Sequence, residues 1–261
     1  MFVKYNSDNK KFTLNITIKC KGKKTFRVWA QDSNKVNSKY ADRQIDVEGE
    51  RTIYFSFPVS PKDLLIVILN VDNIKDNDFN VTIEEKTLKD YNIALDQETL
   101  NFLKLAIYFS QVSGFSEASS NGVLYKTDDE QFRIKYYDII RHHLNGKPMN
   151  TPARIGHKTG IIEVAKAKFD NYTIPMRLMI LLHEFSHKYK NPKIGLEISN
   201  EVGADINALY IYLGLGFSKI DAICVFAKVF LGAQTDSNLD RMRKINDYIR
   251  KFENQEFAKL N

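Results

Sequence analysis

Leu181-Leu182-His183-Glu184-Phe185-Ser186-His187 decides the reading of this chain. It follows Met176, Met179 and Ile180, whose spacing predicts a helix, so the two histidines stand four residues apart on one helical segment. At about 100° and about 1.5 Å per residue, positions four apart differ by only about 40° in azimuth and about 6 Å in rise. Both imidazoles therefore leave one face and can grip one metal ion, for which zinc is the expected choice. Glu184 is turned about 100° from His183, beside the metal rather than on it, which is where a base for the metal's water belongs. With five His and thirteen Glu among 261 residues, this pattern arises by chance in about 0.5% of chains of the same composition.

Fourteen residues after His187 stands Glu201, in the run Asn200-Glu201-Val202-Gly203-Ala204-Asp205. A second helix is predicted here, over Gly195–Leu213, after a turn at Asn191-Pro192. Glu201 and Asp205 are again four apart and share a face. They supply one carboxylate to complete a two-His, one-Glu site and another, one turn on, to hold a ligand imidazole by its other ring N–H. No histidine follows His187, which excludes the three-His metal sites.

His-Glu-x-x-His followed on a later helix by Glu-x-x-x-Asp resembles the gluzincin-type zinc metallopeptidases. The Glu201-Val202-Gly203-Ala204-Asp205 version is similar to the Glu-x-x-Ala-Asp of their prenyl-protein and heat-shock peptidase branch. The likeness covers about residues 161–215 and leaves out the β-rich N-terminus. It implies zinc held by His183, His187 and Glu201, with Glu184 as general base and Asp205 as the partner of His183. It also implies that Ile161–Phe169 is the edge strand that pairs with an extended protein or peptide substrate. The implied reaction is peptide-bond hydrolysis by a zinc-activated water. Members of that branch usually have a later His or Tyr to stabilise the oxyanion. The candidates here are His157, Tyr210, Tyr212 and Arg241. The membrane spans of that branch are missing.

Outward from the motif, helices are predicted over Ile174–Lys190, Ser218–Leu231 and Ser237–Lys259, the last two opening with Ser-x-x-Asp at Ser218/Asp221 and Ser237/Asp240. Upstream, Leu100, Leu103, Ala106 and Ile107 recur at helical spacing after a cap at Asp96. Short strands are predicted at Val123–Tyr125 and Phe132–Tyr136, then a loop with Pro148, Pro152, Gly156 and Gly160. Before about residue 86 the period is two. Phe12, Leu14, Ile16, Ile18 and Cys20 alternate with polar residues, and the alternation returns at Phe26-Val28-Ala30, Ile53-Phe55-Phe57-Val59 and Phe79-Val81-Ile83. With Gly22, Gly49, Pro58 and Pro61 between them, these strands predict a small β-sandwich. The expected fold class is therefore α+β: residues 1–90 a β-sandwich for docking or assembly, residues 91–261 a zincin-like domain with a mostly helical C-terminal half.

Composition bounds the remaining possibilities. At 30.2 kDa, 43% hydrophobic and 27% charged, the chain can bury a real core and is neither disordered nor fibrous. Its net charge of +6 is spread out, with Lys21 to Lys24 the one tight cluster. That cluster reads as a solvated turn, and nucleic-acid binding is not expected. Cys20 and Cys224 are too far apart in sequence to suggest a disulfide framework or a cysteine zinc site. No leader of secretory type opens the sequence, and the apolar run Leu64 to Leu69 is far short of the ~18–20 residues that span a bilayer. A cytoplasmic setting is expected. Adjacent His142 and His143 read as surface or packing residues facing different directions, His157 equally as a plain loop residue, and Tyr210-Ile211-Tyr212-Leu213 as helix core. The Lys/Asn/Ile-rich usage and the β-module joined to a small zincin-like domain also resemble tailed-bacteriophage reading frames of the crAss-like group. That resemblance implies, as an alternative, a virion component of the neck or ring that keeps a metallopeptidase fold, active or inactive.

Overall fold

The apolar residues that alternate from Phe12 to Cys20 and again from Phe26 to Ala30 lie on one strand, β2 (Phe12–Asp32), not two. In the computed structural model, which describes residues 1–73, 78–89, 91–189, 201–230 and 235–253, β2 pairs antiparallel along its length with β3 (Lys39–Phe57). The register slips between Cys20 and Lys23, where Gly22 (φ 70°) and Gly49 (φ 74°) face each other's strands with open space around them. These glycines supply the left-handed backbone that lets the ribbon bend while its ladder continues.

The first half of β2 also pairs with β5 (Phe79–Thr87), the second half with β4 (Asp63–Asn70), and β4 with β1 (Phe2–Asn6), all antiparallel. The expected two-sheet sandwich is thus one five-stranded sheet whose long central strand belongs to both halves. Phe12, Leu14, Ile16 and Ile18 from the first half share a single buried cluster with Phe26, Val28, Ile66 and Ile68 from the second, so the bent sheet closes on its own apolar face. Phe26 meets Phe79 edge-on at 5.0 Å across that cluster. On the opposite face Trp29 is half-buried, with the Arg27 guanidinium 5.7 Å and the Lys39 ammonium 5.5 Å from its ring and Asp42 bridging the two cations. This compact unit comprises Met1–Asp90 together with Thr173–Pro175 and Gly216–Ser218, and Ile174 is buried in its core.

The second unit comprises Tyr91–Tyr172, Met176–Leu215 and Lys219–Asn261. Its first helix, α1 (Gln97–Val112), is capped as its sequence predicts: the Asp96 carboxylate accepts from the Thr99 N–H at 2.7 Å. Four strands follow, β6 (Val123–Lys126), β7 (Arg133–Tyr137), β8 (Ala153–Ile155) and β9 (Ile162–Ala165), in the order β6-β7-β9-β8. β7 and β9 are parallel, and the other pairs are antiparallel. Here the structure corrects the sequence. The strand expected over Ile161–Phe169 ends at Ala165, residues Lys166–Phe169 form a one-turn helix, α2, and β9 is internal rather than an edge. The Pro/Gly loop before it folds back as a hairpin, tied by Gly156 N–H to Ile161 O (2.9 Å) and Ala165 N–H to Pro152 O (2.8 Å), so β8 takes the edge.

The C-terminal half is helical: α3 (Ile174–Ser186), α4 (Glu201–Gly214), α5 (Lys219–Val225) running into a π-helical turn at Phe226–Phe230, and α6 (Asp236–Glu253). The expected start of the second motif helix at Gly195, the turn at Asn191-Pro192 and the helix ends at Lys190, Leu231 and Lys259 lie outside the described residues. α6 is capped by Thr235, whose Oγ1 accepts from Asn238 N–H (3.3 Å), two residues before the expected Ser237. Among the described residues no helix is long and apolar enough to cross a membrane. The chain is a mixed α+β protein with an antiparallel N-terminal sheet and a helical C-terminal half.

Candidate metal centre

Helix α3 is buried along its whole length, its apolar residues sharing that burial with Arg177, His183, Glu184 and Ser186. Pro175 sits in the first turn, where its missing N–H costs nothing. At the other end the helix stops at Ser186, one residue short of the second motif histidine. The chain tightens there, with His187 N–H reaching Glu184 O (3.3 Å) and Lys188 N–H reaching Phe185 O (3.0 Å). This turn keeps the imidazoles together: the two Nε2 atoms are 3.1 Å apart.

Glu201, in the first turn of α4, completes the cluster. Its Oε2 is 3.3 Å from His183 Nε2 and its Oε1 is 3.5 Å from His187 Nε2. Tetrahedral ligands about 2.0–2.1 Å from one ion stand about 3.3 Å apart, so the three separations fit a divalent cation with no rearrangement. Among the described residues, this is the one group of three His, Cys, Asp or Glu side chains whose ligand atoms converge in this way. α4 is held to the end of α3 by Asn207, whose Nδ2 donates to Ser186 Oγ (2.8 Å) and to Tyr189 O (3.2 Å).

Behind these three side chains lies a second layer of charge. Asp205 is fully buried, with Oδ1 2.9 Å from His183 Nδ1, which leaves His183 Nε2 to face the cluster. Arg241 of α6 joins both carboxylates. Its Nη2 donates to Asp205 Oδ1 (2.8 Å) and Glu201 Oε2 (3.1 Å), and its Nε to Asp205 Oδ2. Phe230 closes one side, its ring centroid 4.2 Å from that of His183. Glu184 is nearly buried and its carboxylate accepts from the backbone N–H of Ile155 on β8.

The titration behaviour follows from this packing. Burial works against a charge on His183, but its bonds to Asp205 and Glu201 outweigh that and push it up to about 9. The hydrogen bond from His183, helped by the charges of His187 and Arg241, pulls Glu201 down to about 2. Burial raises Glu184, and the nearby Glu201 charge adds to the effect. Burial and the His183 charge lower His187. Without a metal, the cluster therefore holds a proton where a cation fits.

Of the four oxyanion candidates, two lie near the cluster: Arg241, bonded to Glu201, and His157, exposed on the turn after β8, whose charge acts on Glu184 and His187. Arg241 is committed to the two carboxylates, and Tyr212 is fully buried in α4. Tyr210 lies about 180° round α4 from Glu201, where it influences Tyr248 of α6. His142 and His143 do not diverge as expected; their rings stack at 5.0 Å in a loop, with His142 Nδ1 accepting from Leu144 N–H. The bracing role of Arg241 had one sequence signal. It occupies the buried stripe of α6 with Ile245, Tyr248, Ile249 and Phe252, a place where an unpaired charge would not be tolerated. Asn207, Phe230 and the Ile155 amide had none. No protein family, no curated protein and no solved structure matches this chain.

Proposed function

We propose that this chain is a zinc-dependent peptidase. The observation that carries the reading is the convergence of His183, His187 and Glu201 next to a buried Glu184 whose carboxylate is held on the outward amide of β8. His183, His187 and Glu201 would hold a zinc ion, which would supply Lewis acidity for polarising a carbonyl and acidifying water near neutral pH. The protein's own groups do the rest. Asp205 orients His183, and Arg241 holds Glu201 and Asp205 in place. Glu184, whose carboxyl burial raises above its ordinary value, takes a proton at its carboxylate and returns it to the departing amine. His157 is the side chain offered to the developing oxyanion.

The substrate's place follows from strand register. Pro152 and Gly156 bond toward β9, so in an antiparallel ladder Arg154 does too, while Ala153 and Ile155 point their backbone groups outward. An extended peptide added along that edge brings its carbonyls to Glu184. The test is direct. Protein purified with zinc should hold about one equivalent, and Glu184→Gln should keep the metal while losing about 100-fold or more in cleavage of an unfolded protein. Less than about half an equivalent of metal would overturn the centre; equal cleavage by both forms would overturn the role of Glu184.

A further inference from the structure

Residues 139–162 contain Arg141, Lys147, Arg154 and Lys158, three of the five histidines, and no Asp or Glu. The fold gathers this stretch around β8. Arg154 on the strand pairs with Glu163 of β9 (Nε to Oε2, 2.6 Å) and donates from Nη2 to the Arg141 carbonyl (3.3 Å), which draws the following loop against the strand. That loop is closed on itself by His142 N–H to Lys147 O (2.9 Å) and Met149 N–H to Ile140 O (2.9 Å). Past the other end of β8 the turn carries His157 and Lys158. Lys188, next to His187, reaches that turn so closely that a Cβ on Gly160 would lie 2.7 Å from its Nζ. Glu163 is taken by Arg154. Arg141, Lys147, Lys158 and Lys188 are exposed, and among the described residues none of the four meets a carboxylate.

Resting on the peptidase reading, we propose that the substrate is an acidic peptide, bound extended along β8 with its Asp and Glu side chains against Arg141, Lys147, Lys158 and Lys188. A nucleic acid would also seek positive charge. With Ala153 C=O taken by Thr151 Oγ1 and Ile155 N–H by Glu184, however, the strand edge still turns Ala153 N–H and Ile155 C=O outward, a donor and an acceptor that suit an extended peptide backbone. Solvent-exposed charge pairs of this kind are each worth about a factor of two, so four together favour acidic over neutral sequence by about tenfold.

The experiment uses the zinc-loaded full chain carrying Glu184→Gln and a fluorescein-labelled peptide of Glu-Ala-Leu-Gly repeats, beside its twin with Gln for every Glu. Fluorescence anisotropy should show about tenfold tighter binding of the acidic peptide at low salt, with the gap shrinking at about 0.5 M salt. Lys147→Glu combined with Lys158→Glu should cut the gap at least about fourfold and leave the neutral peptide's affinity unchanged. Cleavage of both peptides by the unaltered chain is measured alongside. Equal binding of the two peptides overturns the inference whether or not they are cleaved. Charge-selective binding with no cleavage supports it and overturns the peptidase reading instead. Stronger binding of an oligothymidylate of equal charge would overturn it in favour of a nucleic acid.

Discussion

Arg241 does more at this centre than its exposure suggests, because one guanidinium fixes both Glu201 of the cluster and Asp205, the carboxylate that meets His183. Arg241→Ala leaves the buried Asp205 carboxylate with its contact to His183 but without the guanidinium. Zinc affinity is expected to fall about 10–100-fold, with Arg241→Lys recovering only part because an ammonium cannot fork to two carboxylates; competition with a chelating dye measures it. The titrating pair gives a second expectation. His183 is raised from 6.5 to about 9, so its contribution to the metal-free protein's stability is complete below about pH 6.5 and lost as pH climbs through 9. Glu201 is lowered from 4.5 to about 2, so its contribution is complete above about pH 4.5 and lost as pH falls through 2. A metal must displace the His183 proton, so the rise in melting temperature on adding zinc should grow from pH 6.5 to pH 9. A larger rise at the acid end would contradict the arrangement. At this scale the cluster was legible in the sequence as two spacings of four, His183/His187 and Glu201/Asp205, although His187 lies on the turn just past α3 and the meeting of the two pairs is tertiary. Arg241 was legible as an oxyanion candidate and as a charge in the buried stripe of α6, but its partners Asp205 and Glu201 lie 36 and 40 residues away and are met only through tertiary packing.

Among the elements, α3 is the one on which the centre depends, and its weak point is a buried cation. Arg177 is fully enclosed, donating to Phe169 O (3.1 Å), Ser110 O (3.2 Å) and Ser113 Oγ (3.4 Å), with burial lowering its pKa. Arg177→Ala would strand these acceptors in an apolar setting, and urea denaturation should show a loss of about 2–4 kcal/mol. Strand order was the part that local pattern could not supply. Ile161–Phe169 reads as one apolar run, yet Ala165 ends the strand, and whether a strand is internal depends on what folds back beside it, here the Pro152–Gly156 hairpin arm. The same limit explains β2: Gly22 looks like a break between two strands, while the ladder across it is set by β3, some 25 residues further on.

For the whole molecule, the chain's division is not a clean cut in sequence. Thr173–Pro175 and Gly216–Ser218 count with the first unit, and Ile174 is buried among its core residues. A fragment of residues 1–90 would lack that side chain and is expected to be about 2–4 kcal/mol less stable than the same unit in the full chain. Its urea transition should come earlier; coincident transitions would show that Ile174 contributes nothing. Trp29 makes that comparison practical. It is the one tryptophan among 261 residues, clamped between Arg27 and Lys39 with its Nε1 donating to Gln31 Oε1 at 2.9 Å. Excitation at the red edge of its absorption passes over all thirteen tyrosines, so its emission is an optical tag for the β-rich unit alone, built in without any label.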